Sequence, residues 1–172
     1  MNITSKSRYA LKIMMDLTYH REQPLVRRAE IAKRQGIPPD YLDQIMIRLR
    51  AGDLVESVRG RNGGYRLNRS PAEITLWDVF GTVEDGIYPV ECLETGHSCD
   101  FEPGCTTFPV WHQIFDAIRG PLSKMNLLDV TTQYADESRM CPIGGVRECN
   151  SGTAPTAKKL AAKKTDSLKQ MV

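Results

Sequence analysis

The segment IPPDYLDQIMIRLRAGDLVESVRGRNGGYRL, residues 37–67, changes its hydrophobic period partway along, and that change constrains the fold more than any other feature. Leu42, Ile45, Met46 and Leu49 fall at i, i+3, i+4 and i+7, the apolar stripe of an amphipathic helix. Pro38 and Pro39 suit the entry to that helix and Gly52 its exit. Beyond Leu54 the period drops to two: Leu54/Glu56 and Val55/Ser57 alternate, the pattern breaks at GRNGG, and Tyr65 and Leu67 resume it. That is a β-hairpin whose tip needs glycine for its unusual φ values.

The upstream sequence completes the unit. Between Ser5 and His20, Ala10, Ile13, Met14 and Leu17 repeat the helical stripe. A shorter helix is expected from about Arg28 to Gln35, ended by Gly36, which can take positive φ. Two short helices joined by a Gly-containing turn read as a helix-turn-helix. Opposite the stripe of the third helix, Tyr41, Gln44 and Arg48 offer a phenol, an amide and a guanidinium for base edges or phosphates in a major groove. A merely solvated polar face is the alternative for that helix alone. The hairpin decides between them, because Arg59 and Arg61 flank its turn, and short arginine-bearing projections favour the narrow, electronegative minor groove. Ser5, Lys6 and Arg8, at the start of the first helix, are placed to meet phosphates. Residues 1–70 are thus expected to form a winged helix-turn-helix that binds double-stranded DNA.

Charge follows the same division. Residues 1–70 carry 14 Lys/Arg against 7 Asp/Glu, a net +7, whereas residues 71–149 carry 4 against 13, a net −9. A polyanion partner is therefore expected for the front only. No run approaches the about 18 apolar residues of a membrane span, and the start MNITSKSRYA lacks a secretory h-region, so a cytoplasmic protein with no membrane contact is expected. In that compartment thiols stay reduced, and five cysteines point to metal or redox chemistry before disulfides.

Past residue 70, a helix is expected from about Thr75, burying Leu76, Val79, Phe80 and Val83. A longer one should follow Cys105, with Val110, Ile114, Phe115, Ile118 and Leu122 on its apolar face beside Trp111, and with Pro121 bending it or ending its first part near Gly120. A chain this small cannot cover such a face, so a second copy should; the fold class is mainly α, a winged helix with a small β-hairpin wing plus a long dimerisation helix. Between the two helices lies ECLETGHSCDFEPGC, with Cys92, Cys99 and Cys105 in a C-x6-C-x5-C array among Glu91, Glu94, Asp100 and Glu102. Three thiolates in one acidic loop can grip a soft or borderline metal centre. Structural zinc, which favours closer C-x2–4-C pairs, and a metal-free thiol redox switch stay open at this point.

The stretches SKSRYALKIMMDL and EIAKRQGIPPDYLDQIMIRLRAGDLVESVRGRNGGYRL, followed by the three cysteines in order, resemble the IscR-type winged-helix regulators. That family includes the iron–sulfur cluster assembly regulator, the nitric-oxide sensor NsrR and the iron regulator RirA, and the likeness covers roughly residues 1–135. It implies a homodimer holding an iron–sulfur cluster through Cys92, Cys99 and Cys105, with cluster presence altering DNA affinity in response to iron–sulfur or iron status or to oxidative or nitrosative stress. The match has departures. The cluster-assembly branch places a histidine ligand three residues after the third cysteine, where this chain has Phe108, and the first cysteine gap is one residue longer. The acidic ligand of the nitric-oxide branch corresponds to Arg8. Phe108 leans the reading toward a 2Fe–2S form over 4Fe–4S, with His97, His112, Cys141 and Cys149 as candidates for a fourth bond.

Four segments result: the winged helix (1–70), the cluster loop and dimerisation helices (71–135), a Cys-containing extension (136–149), and a basic tail (150–172) of net +4 expected to be disordered. His20, His97 and His112 form no nucleophile–base pattern with any cysteine, so neither an enzyme nor a small-molecule substrate is expected.

Overall fold

The computed structural model describes residues 4–60, 62–84, 86–94 and 104–134. The chain runs α1 (Ser5–Tyr19), α2 (Arg28–Gln35), α3 (Pro39–Ala51), β1 (Val55–Val58), β2 (Gly64–Leu67), α4 (Leu76–Val83), a short 3-10 turn at Glu91–Leu93, α5 (Phe108–Lys124) and α6 (Leu127–Tyr134). The mainly helical body with one antiparallel hairpin is the winged-helix class expected from the period change.

Local chemistry accounts for the boundaries. Thr4 caps α1 by accepting from the Lys6 backbone N–H at 3.0 Å. Gly36 ends α2 in the left-handed region at φ 60°. Thr75 and Asp78 make a reciprocal capping box at the start of α4. Gly52 plays a different part from the expected one: its φ is −85°, and Asp53 takes the positive φ of 58° that turns the chain into β1. Glycine is needed at 52 for space, because a Cβ there would run into the Thr82 side chain of α4.

The hairpin pairs Val55 with Leu67 through to Val58 with Gly64. Val26, in the connection between α1 and α2, joins it through paired backbone bonds with Tyr65 of 2.8 and 2.9 Å. The wing is thereby anchored at its base and exposed at its tip.

One core unites these elements. Ala10, Ile13, Met14 and Leu17 of α1 meet Ile31 of α2 and Leu42, Ile45, Met46 and Leu49 of α3. Ile74, Leu76, Val79, Val83 and Leu127 belong to the same cluster, so segments beyond residue 70 help bury the first seventy residues. An ion pair reinforces it: Asp16, only 2% exposed, accepts two bonds from Arg34 (2.9 and 2.7 Å) and one from Gln35 (2.8 Å), clamping α1 to α2. The Asp16 bonds, ahead of an opposing effect of burial, hold the Arg34 guanidinium above its already high ordinary pKa.

The rear half departs from expectation in two places. Pro121 lies inside α5, which runs on to Lys124, so of its two expected effects the end near Gly120 does not occur. The break comes at Met125–Asn126, where Leu76 N–H donates to Met125 O (2.9 Å) and Leu127 N–H to Ile74 O (3.0 Å), returning α6 to the body. The apolar face of α5 is also divided. Phe115 is buried, edge-on to Trp77 (5.8 Å) and stacked with Tyr88 (5.5 Å), while Val110, Trp111 and Ile114 are exposed. Among the described residues, no helix is long and apolar enough to cross a membrane.

Candidate nucleic-acid interface and thiol loop

Helix α3 buries Leu42, Ile45, Met46 and Leu49, and at 100° per residue the pole opposite this stripe carries Asp40, Gln44, Ile47 and Ala51, all exposed. Gln44 is where the sequence placed it. Tyr41 and Arg48 are not: each lies on a flank and turns toward the body. Tyr41 packs edge-on against Tyr9 of α1, ring centroids 5.5 Å apart. Arg48 is half-buried and its Nη1 donates to Val83 O, at the end of α4, at 3.1 Å. Helical periodicity located the apolar stripe, but the neighbours α1 and α4 decide which flank is covered. Ile47, an apolar residue outside the stripe, stands 65% exposed on the outer pole.

The other flank is held by charge. Arg28 of α2 donates to both carboxylate oxygens of Asp43 at 2.6 Å and lies 4.0 Å from Asp40. This fork turns the Asp43 carboxylate toward α2 and neutralises it.

Beside α3, Arg59 is exposed just beyond β1, next to Gly60 at φ 122°. Arg61 lies outside the described residues. Arg66, within β2, pairs its guanidinium across the strands with Glu56 at 2.9 and 2.8 Å. At the start of α1, Ser5 and Arg8 are exposed and Lys6 is half-buried, with the Arg8 guanidinium 5.2 Å from the Tyr9 ring centroid.

Glu84 links this N-terminus to the rear half. Its Oε1 accepts from the Thr4 hydroxyl (2.6 Å), the Thr4 backbone N–H (3.2 Å) and the Ser7 hydroxyl. Burial works to raise the Glu84 carboxyl, but the bonds from Ser7 and Thr4 outweigh it and hold the group below the ordinary carboxylate range. Nothing in the sequence marked this carboxylate, since its partners lie about eighty residues away.

Eight residues beyond Glu84, Cys92 sits in the short turn Glu91–Leu93, and Cys105 just precedes α5; both are free, half-buried thiols. The Thr107 hydroxyl lies 3.3 Å from Cys105 Sγ and, aided by the backbone of Thr107 and Phe108, lowers the thiol pKa. Thiolate is the form that ligates metals, so this donor set suits a soft or borderline metal centre. Cys99, His97, Cys141 and Cys149 lie outside the described residues. Among the described residues, no three His, Cys, Asp or Glu side chains gather into a metal site. Phe108 opens α5 with its ring 5.9 Å from that of His112, whose Nδ1 is 3.0 Å from Asp116 Oδ2.

Comparison with known proteins adds to this geometry. A family model, Rrf2, described as an iron-dependent transcriptional regulator, matches residues 3–133. The chain is 35% identical over 157 residues to the HTH-type transcriptional regulator IscR of Photorhabdus laumondii, covering 86% of this chain and 95% of that one. It is 37% identical over 157 residues to IscR of Pectobacterium atrosepticum, with the same coverage. Among solved structures, T. potens IscR superposes with a TM-score of 0.63 at 32% identity, over 81% of this chain and 92% of that one. CymR, the global cysteine regulator of B. subtilis, also gives 0.63 at 32% identity, over 77% and 98%.

Proposed function

The chain belongs to the Rrf2 family of iron-dependent transcriptional regulators, and on that premise we propose that it is a homodimeric regulator whose grip on an operator is set by an iron–sulfur cluster held by Cys92, Cys99 and Cys105. Its relatives are regulators of transcription and it is not an enzyme. Family membership carries DNA binding; the ligands, the cluster and the dimer are the proposal.

The observation that carries the sensing half is the state of the described thiols. Cys92 and Cys105 are unpaired by disulfide, within reach of solvent, and one is biased toward thiolate by Thr107. An iron–sulfur cluster bound there would supply an oxidisable centre that responds to iron supply, oxygen or nitric oxide. The rest of the work falls to the chain. In this reading Gln44 enters the major groove, Arg59 and Arg61 the minor groove, and Ser5, Lys6 and Arg8 meet phosphates. Tyr41 and Arg48 brace the reading helix against α1 and α4. The end of α4 is the link between the two tasks, because Val83 receives Arg48 while Glu84 receives Thr4 and Ser7. A loop rearrangement at Cys92 would reach both the reading helix and the phosphate-facing N-terminus through these two adjacent residues. The exposed Val110, Trp111 and Ile114 of α5 would meet their counterparts in a second copy, as a duplex with two half-sites requires.

Elemental analysis of protein purified without oxygen tests the assignment. Iron and acid-labile sulfide should co-purify with the wild type and be lost in Cys92→Ser and Cys105→Ser. Stoichiometric zinc without sulfide would replace the cluster by a structural metal, and metal-free protein would leave a thiol switch.

A further inference from the structure

Among the described residues Ile47 is the large hydrophobic residue left most open, at 65% exposure, and it lies on a different helix from Val110, Trp111 and Ile114 of α5. It occupies the outer pole of α3, one turn beyond Gln44, in the half of the chain that carries a net +7. Water solvates an isolated aliphatic group poorly, and a polyanionic backbone offers it nothing. A major groove does offer an apolar partner, and only one base supplies it: the C5-methyl group of thymine. Resting on the reading that α3 enters the major groove, we propose that Ile47 is a specificity-determining residue that recognises thymine methyl groups, alongside Gln44 paired to a neighbouring adenine.

The surroundings favour this use. A β-branched side chain in a helix is confined largely to one χ1 rotamer, so Ile47 is preset for contact and loses little freedom on binding. Gln44, at i−3, shares its face and matches the N6/N7 edge of adenine. The two nearby carboxylates share one guanidinium, Asp43 clamped by Arg28 at 2.6 Å and Asp40 4.0 Å from it, which reduces their repulsion of phosphates beside the contact. Together these groups select an A·T-containing step by an amide and an alkyl group, without a guanidinium on the outer pole.

The test uses full-length protein and a random-sequence duplex pool. Motifs are selected with the wild type and with Ile47→Ala, and the winning duplex is then rebuilt with uracil, which lacks only the C5-methyl group. The wild type should select thymine at one position of each half-site and lose roughly fourfold in affinity per methyl removed. Ile47→Ala should bind the thymine and uracil duplexes equally, relax that one position and melt as the wild type does. Equal wild-type affinity for the two duplexes, or an Ile47→Ala protein still sensitive to uracil, overturns the proposal. A wild type that selects no motif at all removes the α3 reading itself, whereas a clear motif indifferent to uracil removes only the role of Ile47.

Discussion

The two ends of this molecule satisfy their side chains in different ways. In the first seventy residues carboxylates are partnered within the chain: Asp16 with Arg34 and Gln35, Asp43 with Arg28, Glu56 with Arg66. In the rear half Cys92 and Cys105 are unjoined, and α5 leaves Val110, Trp111 and Ile114 in solvent while burying Phe115. The contrast teaches that the front half satisfies its buried groups within one chain, whereas the rear half is shaped to be finished by something added to it. Substitutions in the front should therefore act through stability or DNA contact, and those behind through assembly.

The sharpest break of that contrast is Arg34→Ala. It strands the buried Asp16 carboxylate, and urea unfolding should show a loss of about 3 kcal/mol, since removing one partner of a buried pair leaves an uncompensated charge. A loss near zero would mean that the front half is not held by its own ion pairs. Next in size, Trp111→Ala should weaken self-association by about 2 kcal/mol, roughly thirtyfold, in sedimentation experiments. An unchanged dimer, or a monomeric wild type, would remove α5 as the shared face. At the wing, Arg59→Ala should weaken duplex binding by about 1.5 kcal/mol at fixed salt, with thermal stability unchanged.

The smallest effect sharpens the comparison where the halves join. Glu84→Gln keeps an acceptor for Thr4 and Ser7 but loses the charge, and should cost about 0.5–1 kcal/mol at neutral pH. Because the folded-state pKa lies below the ordinary value, this contribution is full above the unfolded carboxyl pKa, about 4.3, and is lost as pH falls through the depressed one. Wild type and variant should therefore converge in unfolding experiments on acidification. A gap that persists in acid would assign the effect to packing.

Much of the front half is legible in sequence because its signals are local. The stripes of α1 and α3 and the left-handed Gly36 each announce themselves within a few residues. What was misread depends on distant neighbours. Tyr41 and Arg48 sit at the edges of the apolar stripe, where periodicity is indifferent, and only the approach of Tyr9 and Val83 settles their direction. Ile47, by contrast, is legible, since 100° per residue already sets it opposite Leu42, Ile45 and Leu49, outside the core. The break at Met125–Asn126 rests on backbone pairing with Ile74 and Leu76, some fifty residues earlier, and left no mark beyond Pro121. The cysteine array was visible from spacing and composition, yet the depressed Cys105 thiol needed the placement of Thr107.

A single titration bears most directly on the central claim that the loop thiols govern the reading head. Wild-type protein prepared without oxygen, and the same protein stripped of metal, are titrated with a duplex selected from a random pool, at one salt concentration. The account predicts apparent affinities differing at least fivefold, the lower end of an ordinary allosteric coupling, with Cys105→Ser behaving as the stripped protein whatever its treatment. Loaded and stripped proteins that bind the duplex equally, from a preparation shown to contain iron and sulfide, would contradict it.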